Sequence, residues 1–397
     1  VSYCEPWANR EAPLKALKWM FDKEAPLLFR PQLDWDQWRW GLKFLAQCND
    51  TAFERNVQQI VALGAYSHAA LKDLVASTGI EYNRLERGIA HFYTDQKSFD
   101  AAGHAVELMR KHGVQRRLVS RDELLQIEPA FRAYGDKITG GTYTSTDESG
   151  DARVFTQELA RRCAARGAQF LYGHDVLRLN KIGDAIDSVA VIARNTGASG
   201  QKDFILKADA FVVACGSYSA PLLRTVGVDL PIYPGKGYSA TFPLLRPEGA
   251  PMVSTIDDGK KIAMSRLGNV LRVAGTIELG GFDMSLDSPV ARARCHMLSR
   301  RIAEILPGVC DTRTPEEGGN PQYWTGLRPA TPTNIPFIGQ TRVGKLWVNA
   351  GHGTLGWTHG AGSGKAMAEL LSGEVPAMNF GFLGVQAPRA VRGAVAA

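Results

Sequence analysis

The sequence lacks any long apolar run. Its longest, Phe204 to Ala214 and Lys345 to Ala350, fall far short of the roughly 20 residues a membrane-crossing helix needs. Cysteine pairs are missing too. The six cysteines, Cys4, Cys48, Cys163, Cys215, Cys295 and Cys310, form no Cys-x-x-Cys and stand at no ligand spacing from histidine, so no metal site is expected and the thiols read as those of a reduced, cytosolic chain. Basic blocks are absent, which argues against nucleic acid. Lys plus Arg (46) exceed Asp plus Glu (40) enough for a charge of +6, which suits an anionic substrate or an anionic lipid surface. The eight histidines form no Ser/His/Asp pattern, and no repeat of fixed period is visible. With 45% hydrophobic and 22% charged residues, collagen-like, low-complexity and disordered classes are excluded.

The 397 residues are enough for two or three domains. Residues 13 to 28, with Lys15, Lys18 and Lys23 among leucines and aromatics, read as an amphipathic core-covering helix that alternatively touches a membrane surface. The tryptophans Trp35, Trp38 and Trp40 follow. Helical spacing predicts a long helix from Phe53 to Thr78 stopped at Gly79, and shorter ones over 99–112, 121–127 and 154–166. Strands are predicted over 89–94, 142–144, 169–172, 189–193 and 205–206. The nearly all-apolar run 208–216 looks like a central parallel strand buried on both faces. Alternating helix and strand make this part α/β. Between Pro231 and Leu279 the runs 237–242, 262–265 and 270–277 predict antiparallel strands of a second domain, followed by a helix over 290–306 capped by Ser288. A buried strand at 345–350, a glycine-rich turn and a helix through Leu371 come next. The tail after Pro376 reads as poorly ordered.

Three motifs carry chemistry. Gly351-His352-Gly353-Thr354-Leu355-Gly356 matches G-x-G-x-x-G between strand and helix, but no second strand ending in an acid follows, so it is not a dinucleotide fingerprint. Glycines that admit a ligand to backbone N–H groups, with a helix N-terminus behind them, suit a phosphate or a delocalised anion. Gly360 to Lys365 is no phosphate loop, since Ala366 replaces the required hydroxyl. Arg328, in Trp324-Thr325-Gly326-Leu327-Arg328-Pro329, offers a planar fork for a carboxylate; an idle surface arginine is the alternative. In Tyr233-Pro234-Gly235-Lys236-Gly237-Tyr238 each phenol is equally a substrate contact or core. Lys236 would matter chemically only if buried, and Cys215 reads as packing.

Together with Val213-Ala214-Cys215-Gly216-Ser217-Tyr218-Ser219 and Phe337-Ile338-Gly339, these motifs closely resemble the bacterial FAD-dependent D-amino acid dehydrogenases of the small-subunit type, within the wider D-amino acid oxidase and glycine oxidase family. The resemblance runs from about Glu5 to Pro376. It implies an α/β fold in which an FAD-binding Rossmann-like domain, incomplete at its N-terminus, joins a second, antiparallel-sheet substrate domain. Residues 1–145 would be mostly substrate domain and helical cover, 146–230 and 328–376 the FAD-binding domain, 231–327 substrate domain and 377–397 a tail. Family members open with a strand and a G-x-G-x-x-G turn of about the first fifty residues, which are absent ahead of Val1 here; the chain alone would then hold FAD weakly.

Carried over by position, the resemblance implies that Gly351, His352, Gly353, Thr354, Leu355, Gly356 and Trp357 lie along the flavin. Val176 would contact the adenine through its backbone, and Cys215 and Gly216 would approach the phosphates and ribose. Arg328 would bind the substrate carboxylate, with Tyr238 and then Tyr233 as substrate-side phenols. The implied reaction is oxidative deamination of a D-amino acid to a 2-oxo acid and ammonia, with electrons passed to a quinone or another carrier. It would take place in the cytoplasm, with peripheral contact at the inner membrane. A glycine or sarcosine oxidase of the same fold, and a non-catalytic fragment, are the competing readings.

Overall fold

The computed structural model describes residues 4–14, 25–194 and 204–385, and among them the strands assemble into three sheets. In chain order the strands are β1 (Leu27–Phe29), β2 (Ile89–Tyr93), β3 (Arg117–Ser120), β4 (Gly140–Thr144) and β5 (His174–Ile182). There follow β6 (Ala185–Ala193), β7 (Phe204–Lys207), β8 (Phe211–Val213), β9 (Tyr233–Pro243) and β10 (Ser254–Asp257). The last are β11 (Ile262–Leu267), β12 (Val270–Leu279), β13 (Gln322–Ala330), β14 (Phe337–Gln340) and β15 (Leu346–Ala350). The largest sheet has nine strands in the order β13-β9-β12-β11-β10-β2-β4-β3, with β1 pairing parallel to β12. The others are β14-β15-β8 and the meander β5-β6-β7.

Side chains alternate across a strand, so the large sheet has two faces. On one, Ala90, Phe92, Tyr238, Ala240, Phe242, Met264, Leu271 and Val273 pack against Leu298 and Ile302 of helix Pro289–Ile305. That helix starts as its sequence dictates, with Pro289 at its first position and Ser288 Oγ accepting from Ala291 N. On the other face lie Arg328, Ser239, Arg272, His91 and Thr142, a polar row. Helix Gln96–Lys111 covers its far end, where a Cβ at Gly140 would meet the Phe99 ring at 2.5 Å.

Helix Asp50–Thr78 begins at Asn49, whose Oδ1 accepts from Ala52 N, and ends at Gly79 in the left-handed conformation. It packs on helix Gly356–Leu371 with almost no separation: a Cβ at Gly362 would lie 2.6 Å from Ser67 Cα, and Ser67 Oγ accepts from Gly362 N.

Several expectations are corrected. The run 208–216 forms a strand only at Phe211–Val213, parallel to β15; among the described residues it pairs on that side alone, and Val212 is 41% exposed rather than buried on both faces. Residues 169–172 make no strand, because β5 begins at His174 after the left-handed Gly173. Leu27 and Leu28 belong to β1 rather than to a helix, while residues 15–24 lie outside the described residues. The segment after Pro376 is packed: Phe380 and Phe382 join Leu63, Ile338 and Met367, and Leu383 bridges to Gly339. Residues 386–397 lie outside the described residues.

Candidate active site

Three segments meet at the β13 edge of the polar face. The first is β13 itself, paired antiparallel to β9 without a break from Gln322↔Thr241 to Ala330↔Tyr233. The second is the turn 214–218 after β8, tied to β13 by Ser217 Oγ donating to Leu327 O at 3.3 Å. The third is the turn between β15 and helix Gly356–Leu371. A Cβ at Gly351 would meet Thr331 Cγ2 at 2.7 Å, and one at Gly353 would stand 4.0 Å from Pro329 O. The glycine turn therefore lies beside the residue that follows Arg328. Gly351 (φ 91°) and Gly353 (φ 54°) take left-handed conformations that favour glycine.

Arg328 projects across β9, its guanidinium lying over Gly237, where an added Cβ would be 2.6 Å from Cζ. Its Nη1 donates to Thr276 O at 2.7 Å. Thr276 is the extra residue of a bulge in β12, between the pairs Gly275↔Tyr238 and Ile277↔Gly237. Its φ of 56° is unusual for a β-branched residue, and bulges re-aim backbone groups. Here the bulge aims a carbonyl at the arginine.

Tyr238 must be moved from the substrate side. It pairs with Thr325, three residues from Arg328 on β13, an odd spacing that puts the two side chains on opposite faces. It is 1% exposed, packs with the apolar core, and donates to Glu278 Oε2 at 2.5 Å. Glu278 Oε1 in turn accepts from Arg30 at 2.8 Å. Burial, then the hydrogen bond to Glu278, raises the Tyr238 pKa far above the ordinary phenol range. Tyr233 has the same strand parity as Arg328, yet its hydroxyl donates to Asp34 Oδ2 at 3.0 Å and its ring packs with Trp40 and Leu279, which turns the phenol to a structural partner. Lys236 is buried, with Nζ donating to Ser285 O.

The turn offers what an anionic or carbonyl-bearing ligand needs. Helix Gly356–Leu371 starts without a side-chain cap, so its first N–H groups have no side-chain acceptor. His352 Nε2 is buried with no hydrogen-bond partner, and burial lowers that imidazole to about 4, keeping it neutral. Ser219 Oγ, just past the 214–218 turn, is likewise buried and unpartnered. Cys215 is exposed rather than packed away. Leu355 anchors the turn among Val57, Ile60 and Met109. Trp357 stands edge-on to Tyr82 and Phe155 at 5.7 and 5.2 Å. Thr354 lies in the short turn Gly353–Leu355. Val176 sits apart, 46% exposed on β5 of the meander.

Sequence reading missed the acceptor of Arg328, the Thr276 carbonyl, which needs a bulge invisible to period-two counting, and missed that Arg272 and Ser239 share its face, which emerges only from strand register. No group of His, Cys, Asp and Glu able to hold a metal occurs among the described residues.

The family model described as FAD dependent oxidoreductase matches residues 27–370. The chain belongs to that family, the DAO group of flavoproteins. It is 46% identical over 383 residues to the D-amino acid dehydrogenase of Dechloromonas aromatica (strain RCB), covering 96% of this chain and 88% of that protein. Against the D-amino acid dehydrogenase of Paramagnetospirillum magneticum (strain ATCC 700264 / AMB-1) it is 40% identical, covering 96% and 86%. Among solved structures it superposes on glycine oxidase from Geobacillus kaustophilus with a TM-score of 0.67 at 23% identity over 80% of each chain. L-proline dehydrogenase from P. horikoshii gives 0.66 at 17%, over 80% of each. These structural likenesses establish the fold alone.

Proposed function

We propose that the chain oxidatively deaminates D-amino acids. The observation that carries this reading is the Arg328 guanidinium, held over Gly237 by Thr276 O, next to the Gly351–Gly356 turn; the names of the relatives support it. The residues present fit FAD. The uncapped N–H groups at the start of helix Gly356–Leu371, with His352 Nε2, would face the ring, while Cys215, Gly216 and Ser219 would line the approach of its phosphates. Bound there, FAD supplies the two-electron oxidant that accepts a hydride.

Arg328 pins the carboxylate by charge-assisted hydrogen bonds, which fixes Cα beside the turn. The amine enters neutral. As the Cα–H bond breaks, its electron pair leaves with the hydrogen, the C=N bond forms, and the amine gives up one proton, leaving an imino acid. Water then replaces the imine nitrogen, giving a 2-oxo acid and ammonia. The helix N-terminus behind the turn stabilises negative charge that gathers on its ligand side. No acid or base at Cα is required.

In this reading the nine-stranded sheet is the substrate domain and the β14-β15-β8 and β5-β6-β7 sheets belong to the cofactor domain, with Val176 at the adenine end. Electrons pass on to a quinone or another carrier, in the cytoplasm against the inner membrane. Helix Trp35–Gln47 supports that contact, since Trp35, Trp38, Leu42 and Leu45 form an exposed apolar stripe. Among the described residues no helix is long and apolar enough to cross a membrane. The anaerobic absorption spectrum of the flavin-loaded protein tests the chemistry: D-alanine should bleach it and L-alanine should not. Bleaching by glycine or sarcosine alone would replace the reading with that of an amine oxidase.

A further inference from the structure

The polar row that leads away from Arg328 ends in a second arginine. Arg272 pairs with Thr241 on β9, which itself pairs with Gln322 on β13, so Arg272 and Arg328 stand on the same face of the sheet. The Arg272 guanidinium lies 5.5 Å from the centre of the Trp324 ring. Among the described residues it forms no hydrogen bond and no ion pair, and burial lowers its pKa. The acid whose charge opposes that shift, Asp151, is already committed: its Oδ1 accepts from Arg153 N and Val154 N at the start of helix Ala152–Ala165. The Arg272 nitrogens keep solvent contact, so a ligand carboxylate would displace only water to reach them.

Trp324 lies along the sheet between the two arginines. Its indole folds over Gly326, where a Cβ would be 2.3 Å from the ring, while the Arg328 guanidinium lies over Gly237, the cross-strand partner of Gly326. Cross-strand Cβ positions are about 5 Å apart, so the two guanidinium groups bracket a gap on the order of 10 Å, floored by the indole. Ser239, paired with Trp324 and with Ala274, faces the same gap; it is 2% exposed and its Oγ has no partner. Trp324 is 57% exposed, so a ligand can reach the row.

Resting on the deamination reading, we propose that this row is the side-chain subsite and that it selects acidic D-amino acids. The α-carboxylate would lie on Arg328, the side-chain methylenes on the Trp324 indole, and the distal carboxylate on Arg272, with Ser239 Oγ as a further donor. A glutamate-sized side chain bridges two forked guanidinium contacts of roughly 2.8 Å each across such a gap; an alanine-sized one leaves Arg272 without an acceptor.

The test uses the flavin-loaded protein and its Arg272→Met and Arg272→Lys variants. kcat/KM is measured for D-glutamate, D-aspartate and D-alanine, and calorimetric binding for the unreactive analogues glutarate and butyrate. The ratio of D-glutamate to D-alanine efficiency should fall on the order of 30-fold or more in Arg272→Met, chiefly through KM, and less in Arg272→Lys. Glutarate should bind at least about tenfold tighter than butyrate in the parent protein and lose that advantage in Arg272→Met. An unchanged efficiency ratio, or no preference for glutarate in the parent protein, overturns the proposal. If no D-amino acid reduces the flavin while glutarate still binds through Arg272, the deamination reading fails and the dicarboxylate subsite stands.

Discussion

The two faces of the nine-stranded sheet differ where they carry Tyr238 and Arg328. On the face toward helix Pro289–Ile305, the Tyr238 hydroxyl reaches Glu278, Glu278 reaches Arg30, and Arg294, over the Tyr238 ring, donates to Ala25 O. On the Arg328 face, Ser239 Oγ, Thr144 Oγ1 and the Arg272 guanidinium have no partner among the described residues. Buried polar groups are normally satisfied. In the proposed reading the ligand completes Ser239 and Arg272, whereas the contacts of Tyr238 hold the sheet together.

Substitutions on the two faces should separate along that line. On the Tyr238 face, Leu298→Ala should cost about 2 to 5 kcal/mol of stability by opening a cavity at a fully buried position, read as a lower denaturation midpoint. KM should be unchanged in whatever protein remains folded. On the Arg328 face, Arg328→Ala should lower kcat/KM for carboxylate substrates by about 2 to 5 kcal/mol without lowering the denaturation midpoint; unchanged efficiency would remove Arg328 from the site. Tyr238→Phe is a smaller change, leaving Glu278 short of one donor at a cost of about 1 to 3 kcal/mol. It should appear in stability alone, and a rise in KM equal to that of Arg328→Ala would return Tyr238 to the substrate.

The mildest effect is on pH. Burial lowers His91 and His352 to about 4 and His359 to about 3, from the ordinary 6.5. Each stays neutral in the folded protein and gains a proton on unfolding, so these groups contribute their full stability above about 6.5 and lose it as the pH falls toward 4. Denaturant midpoints measured from pH 7.5 to 4.5 should decline across that window. His91→Gln should flatten the decline more than an exposed-histidine control such as His104→Gln.

Much of this was legible in the residues. Helix ends at Gly79, Ser288 and Gly373, the antiparallel runs after Pro231, and the glycine turn all follow from local chemistry that tertiary packing did not override. Arg328 stood out because a forked cation beside proline in an apolar stretch needs a reason. Strand faces were beyond reach. Tyr238 and Arg328 are both aromatic-rich motif residues on paired strands, and only their register, three residues out of step, separates them. The same holds for Arg272, which is unremarkable in Val270–Leu279 until β12 is laid against β9. The run 208–216 misled because an apolar composition shows hydrophobicity, not which side of a strand is paired.

The bulge at Thr276 has a consequence for how this chain can change. Up to Gly275, the odd-numbered residues of β12 face the Tyr238 side of the sheet; beyond Thr276 the even-numbered Glu278 does, and Ile277 crosses to lie on Gly235. One inserted residue thus works as a phase switch in the strand's code. Deleting it would leave Ile277 opposite Gly237 and Glu278 opposite Lys236 on the faces they already occupy, in a regular ladder, but would remove the carbonyl that receives Arg328. A single-residue deletion at 276 should therefore leave the fold standing and raise KM through a misplaced Arg328, while substitution of the same residue by glycine, which keeps the bulge, should be accepted.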